Sequence, residues 1–231
     1  MLAPFYQQEE NTIVISREQG SAFAKQIADD FNPLHDVDAK KFCVPGDLLF
    51  SLVLEKYGVS NNMAFSFAGM VDETSKLVLP ESGNELKITS AEKTMLIVER
   101  EGENSQQASL IDSLISNYVA FSGTTFPHVI IPLMAEQSVM INPARPMVIY
   151  ESMSIVLDTL ALDAVTLVAG KHEFSFDGKR GKIVLRFDLK NGEQIVGHGE
   201  KHMLVSGIKA YCEQEVAALI DYYNNRKATL K

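Results

Sequence analysis

Two side chains of complementary acid–base character stand five residues apart in the polar segment Asp30-Phe31-Asn32-Pro33-Leu34-His35. A carboxylate and an imidazole held at a set distance can share a water molecule. One takes its proton while the other directs the water or returns a proton to an adjacent carbon. Such chemistry needs a stiff support, and Pro33 supplies one. It locks its own φ and keeps Asn32 out of the helical region, so the loop runs as a fixed extended turn. On spacing alone a plainer reading stays open, in which Asp30 and Asn32 cap backbone groups and His35 is a satisfied loop histidine.

The flanking segments must position this loop. Thr12 to Ile15 reads as a short strand. Ser16 and Gln19 form a capping box for a helix whose apolar face carries Phe23, Ala24, Ile27 and Ala28. Beyond the loop, Pro45-Gly46-Asp47 opens a second helix that is apolar nearly all the way round and stops at Lys56-Tyr57-Gly58. A helix without a polar face has to be wrapped by other elements, so it is expected to run through the core. Backbone N–H groups near Gly46 and Asp47 would then stabilise charge forming on a substrate oxygen. Leu49 and Phe50 could line an apolar pocket.

The run Ser16 to His35 resembles the MaoC-like hydratases of the hot-dog superfamily, whose signature is a short helix, Asp-x-Asn-Pro-x-His, and a central helix wrapped by a curled antiparallel sheet. The resemblance implies Asp30 and His35 as catalytic residues adding water to an enoyl-CoA to give a 3-hydroxyacyl-CoA, with Asn32, Gly46, Asp47, Leu49 and Phe50 at the substrate. It covers roughly residues 12 to 58 sharply. The chain departs from the pattern in three places. Asp29 stands where the family usually has Gly, the linker after His35 is short, and Pro45-Gly46 replaces the His-Gly common at the hydratase helix start. Pro45-Gly46 looks instead like the dehydratase branch of the superfamily. Taken whole, the chain also looks like a bacterial family without an assigned function. A non-catalytic acyl-thioester-binding protein and an acyl-CoA thioesterase are the alternatives within the same fold.

Bulk properties narrow the field. The chain has 231 residues, 46% hydrophobic and 22% charged, which is ordinary globular composition. A net charge of −9 argues against nucleic acid and against an anionic membrane surface. No apolar run approaches a membrane span, and Met1 to Glu10 lacks the basic start and apolar run of a signal peptide. The two cysteines, Cys43 and Cys212, suggest reduced thiols in a cytoplasm. No metal or cofactor is expected. The expected partner is an acyl-CoA or acyl carrier protein thioester.

The fold class expected is α+β, a double hot-dog with two central helices wrapped by curled antiparallel sheet. Residues 1–104 would form the unit that carries the motif, and 105–231 a second unit without it. The polar run 101–107 reads as the linker between them. A helix over about 108–120 and the apolar segment 126–134 follow, with Pro132 arguing against a straight helix there. A meander of alternating strands comes next, with a hairpin at Asn191-Gly192, and a helix from about 208 to 225 closes the chain. Internal pairing of the units would give a monomer with a pseudo-dimer, and separate units would favour a homodimer. His198, Glu200 and His202 share one strand face, too splayed to hold one metal and better read as a solvated surface. Lys179, Arg180 and Lys182 form the most basic turn and could meet the phosphates of coenzyme A or of a carrier protein.

Overall fold

The computed structural model describes residues 2–144 and 147–230. After a 3-10 turn at Ala3–Phe5, the first half runs through β1 (Gln7–Glu9), β2 (Thr12–Val14), α1 (Arg17–Ala22), α2 (Gly46–Tyr57), β3 (Val59–Phe67), β4 (Leu77–Val78), β5 (Glu85–Ser90) and β6 (Lys93–Ser105). The second begins with α3 (Ala108–Gly123), α4 (Thr125–His128), α5 (Ile130–Ala135) and β7 (Val139–Met140). It continues with β8 (Met147–Leu157), β9 (Thr166–Ala169), β10 (Glu173–Asp177), β11 (Arg180–Asn191), β12 (Gln194–Ser206), β13 (Lys209–Ala210) and α6 (Glu213–Leu230).

One antiparallel sheet runs in the order β1-β2-β4-β5-β6-β3-β8-β12-β11-β10, with β9 also on β11. The order holds a repeat. In each half a helix leads to an inner strand, β3 or β8, whose neighbours outward are the last and then the middle long strand, β6 and β5 or β12 and β11. The halves join where β3 pairs with β8, Met63 opposite Ile155 and Phe65 opposite Met153. Curled sheet wrapped on a helix, twice over in one chain, is the α+β double hot-dog.

The two helices are buried to different degrees, for reasons written in their residues. In α2, Leu48, Leu49, Phe50, Leu52, Val53 and Leu54 are all buried, and Asp47 with them. Each such apolar side chain contributes about 1.5–3 kcal/mol by leaving water, so packing rather than helix propensity holds α2 in place. Gly58 ends it at φ +79°, a conformation open to glycine. In α3 the buried residues Leu110, Ile111, Leu114, Ile115, Tyr118, Val119 and Ser122 recur at three and four, one face only. Its other face stays in solvent.

Local expectations held where the signals were local. Ser16 and Gln19 make both hydrogen bonds of the capping box. Gly192 turns the β11–β12 hairpin at φ +60°. The segment with Pro132 is broken into α4 and α5, and Pro132 sits in the first turn of α5, where no N–H is required. The polar run expected as a linker is different: residues 101–105 extend β6 and pair with β3, Glu101 opposite Asn62 and Ser105 opposite Val59. Polarity there marks an exposed strand end, not a break in the ladder. The closing helix begins later than expected, at Glu213, because Lys209 and Ala210 pair with β7.

Candidate active site

The motif loop gets its shape from short-range hydrogen bonds. After α1 the chain widens into a π-helical turn, Phe23–Ile27, and the Asp30 amide donates back to Ala24 O at 2.8 Å. Asp29, at the bend, has φ +55°. This left-handed conformation favours glycine, and aspartate tolerates it better than most residues. That explains both why glycine suits the position and how Asp29 can occupy it. Asp30 Oδ1 accepts from the Asn32 amide at 2.8 Å, and Asn32 Oδ1 accepts from the Leu34 amide at 3.1 Å. Asn32 thus caps the 3-10 turn Pro33–His35.

These bonds bring Asp30 and His35 together. His35 Nδ1 lies 2.6 Å from the carbonyl oxygen of Cys43, which can only accept, so Nδ1 carries a proton. His35 Nε2 then faces Asp30 Oδ2 at 3.6 Å. With Oδ1 committed to Asn32, Oδ2 is the oxygen left for chemistry. The side chains are 25% exposed for Asp30 and 11% for His35, so the pair is sheltered but borders solvent. In the neutral ring Nε2 is a lone-pair acceptor, as is Oδ2. Two acceptors at this spacing suit a water that donates to both, or an imidazolium that forms when Nε2 takes a proton.

A second cluster lies behind the pair. Asp47, in the first turn of α2, accepts through Oδ2 from Ser122 Oγ at 2.6 Å. Ser122 Oγ accepts from Lys201 Nζ at 2.5 Å, and Lys201 Nζ is 3.9 Å from Asp47 Oδ1. The Lys201 ammonium also sits 3.9 Å above the Tyr150 ring, and the Tyr150 and Tyr118 hydroxyls are hydrogen bonded to each other. Burial pushes the Asp47 carboxyl up, opposed by the Lys201 charge and the Ser122 hydrogen bond, and smaller effects of Asp30 and His35 reach it too. Burial pulls the Lys201 ammonium down and drives both tyrosines well above their ordinary range.

The other expected site residues fall in distinct places. A side chain on Gly46 would meet the Tyr150 ring at 2.8 Å and Phe67 at 3.2 Å, so only glycine lets the ring cover the start of α2. Phe50 packs on Phe65 and Tyr118, with ring centroids at 5.2 and 4.6 Å, and Leu49 is buried beside it in the core. Lys179, Arg180 and Lys182 are exposed at the β10–β11 turn. Arg180 is five residues along β11 from Leu185, the partner of Lys201, or about 17 Å. Glu200 accepts from His202 Nε2 at 2.7 Å on the outer sheet face, and His198 is exposed there. Among the described residues no group of three or more potential ligands could hold a metal ion.

Lys201, Ser122, Tyr118 and Tyr150 were not singled out from the sequence. The signal for Lys201 was present, since placing His198, Glu200 and His202 outward turns Lys201 toward the core. An open cavity of about 570 Å³ runs beside α1, with Lys25, Asp29, Val37 and Leu230 in its wall. Asp30 and His35 do not line it. No described helix is long and apolar enough to cross a membrane.

Several solved structures are similar to the chain. An acyl-CoA thioesterase II from Mycobacterium marinum is 9% identical, covers 91% of this chain and 98% of its own, and has a TM-score of 0.44. A conserved protein of unknown function with hot dog fold from Alicyclobacillus acidocaldarius is 9% identical over 91% and 98%, at 0.47. A MaoC-like dehydratase is 11% identical over 86% and 97%, at 0.42. No curated protein matches the sequence. Residues 1–214 match the family model described as protein of unknown function (DUF3581), and the chain belongs to that family.

Proposed function

We propose that the protein acts on an acyl thioester and that its reaction is acid–base hydration of an enoyl thioester, with Asp30 and His35 as the catalytic pair. The observation that carries this is the commitment of the other atoms. His35 Nδ1–H donates to Cys43 O and the Asn32 amide donates to Asp30 Oδ1, which leaves Nε2 and Oδ2 facing each other at 3.6 Å. A water held there gives its proton to Nε2 as its oxygen attacks the β-carbon. The imidazolium is stabilised by Asp30 on one side and the Cys43 carbonyl on the other, and Nε2 then gives the water's proton to the α-carbon. Such positioned proton transfer is worth about 10²–10⁴-fold.

The same activated water can attack a thioester carbonyl, so hydrolysis is the second reading. It draws support from the same geometry, because nothing in the pair itself selects the β-carbon over the carbonyl. The exposed turn of Lys179, Arg180 and Lys182 would supply the positive charge for phosphates of coenzyme A or a carrier protein. Replacing the three by alanine is expected to raise KM for a coenzyme A thioester and leave that for a pantetheine thioester unchanged. The test of the main reading is product analysis. The protein is mixed with acyl- and enoyl-CoA thioesters while binding, enoyl loss and free thiol are followed together. Enoyl loss without thiol release is expected. Thiol release would make it a thioesterase, and binding with neither would make it a sensor.

A further inference from the structure

The C-terminal helix touches the motif loop on both sides of the pair. Lys227 is ion-paired with Asp29, the residue before Asp30, and Tyr223 OH donates to the Asp29 carbonyl at 3.4 Å. Arg226 is ion-paired with Asp36, the residue after His35. Between those ends, Phe31 packs edge-on against Tyr223 at 6.2 Å, and Lys227 Nζ lies 5.7 Å from the Phe31 ring centre. Tyr223 is buried and braced from the far side by Phe126 at 5.3 Å.

We propose that α6 is a clamp on the motif loop, with Tyr223, Arg226 and Lys227 as positioning residues for Asp30 and His35. The part of this that concerns turnover rests on the hydration reading; the mechanical part does not. The loop's own hydrogen bonds set its shape, whereas the contacts from α6 set where its two ends lie. Lys25 completes the hold from the α1 side, 2.9 Å from Asp36 Oδ1 and 3.4 Å from the His35 carbonyl. The Asp36 side chain is only 7% exposed, so without Arg226 a buried carboxylate is left to Lys25 alone. Asp29, strained at positive φ, is pinned by the cation that faces it. These three residues of α6 lie beyond residue 214, outside the family match.

The experiment compares the full chain with Arg226→Ala/Lys227→Ala, with Arg226→Lys/Lys227→Arg, and with the exposed control Asn224→Ala. Amide exchange over residues 29–36 is read beside exchange over β6, together with kcat and KM. The clamp predicts that the alanine pair speeds exchange over 29–36 by about tenfold or more and leaves β6 protected. It predicts a kcat lowered about 10–100-fold with KM within about twofold, since the reacting groups are displaced rather than lost. The charge-preserving pair recovers most of both effects, and Asn224→Ala changes neither. Unchanged exchange over 29–36 overturns the clamp, and so does faster exchange with an unaltered kcat. Faster exchange in a protein that turns over no enoyl thioester supports the mechanical clamp and counts against the hydratase. Should the alanine pair unfold, Lys227→Ala alone carries the test, because both partners of that pair are about 30% exposed.

Discussion

Lys201 on β12 donates to Ser122 at the end of α3, and that hydroxyl donates onward to Asp47 at the start of α2. The three residues tie both helices and the sheet together through charges kept from water. Removing one member leaves the other buried and uncompensated. Lys201→Met is expected to cost about 3–5 kcal/mol, and the double variant Asp47→Asn/Lys201→Met to regain most of it. Urea unfolding of the single and double variants measures this. A single variant as stable as wild type would show that the pair is not coupled.

The Asp47 carboxyl also predicts a pH dependence. Its folded pKa is raised above the ordinary 3.8 by burial. The folded state therefore holds the proton where the unfolded state has released it. As pH climbs from 3.8 toward the raised value, this group's contribution to stability declines. Across that window Asp47→Asn should lack the wild-type decline when unfolding free energies are compared pH by pH. Parallel profiles would contradict the assignment.

Gly123 is where α3 meets the backbone that leads into the motif. A Cβ built there falls 1.6 Å from the Ala28 carbonyl oxygen, a backbone atom that cannot rotate away. Gly123→Ala is expected to destabilise by about 3 kcal/mol through overpacking and to shift residues 28–30. Thermal unfolding reads the first effect, and amide chemical shifts of Asn32 and Leu34 the second.

Cys43 supplies the carbonyl that fixes the His35 tautomer, while its thiol is free and partly buried. Burial pushes that thiol up to about 11. Alkylation by iodoacetamide, read by peptide mass, should be slow near neutrality and rise with a midpoint near 11. A midpoint near the ordinary 9.0 would mean that the thiol is exposed.

The sequence made local devices legible and hid the long-range ones. The Ser16–Gln19 capping box, the Asn32 cap before Pro33 and the wrapped helix at Gly46–Tyr57 each rest on residues a few positions apart. The Asp30–His35 pairing was readable for the same reason. Lys201 reaches Ser122 and Asp47 only through the register of β12 in the sheet, and Arg226 meets Asp36 across nearly the whole chain. No spacing rule announces such contacts. Residues 101–105 misled because exposed strand ends and linkers share a polar composition.

The most direct test of the central claim is the rate of hydration of trans-2-butenoyl-CoA by wild type, Asp30→Asn and His35→Ala, each verified as folded by its melting transition. Wild type should consume the enoyl thioester without releasing thiol, and each variant should lose about 10²–10⁴-fold in kcat. An Asp30→Asn or His35→Ala protein as fast as wild type, or a wild type that binds the thioester and leaves it intact, would contradict the account.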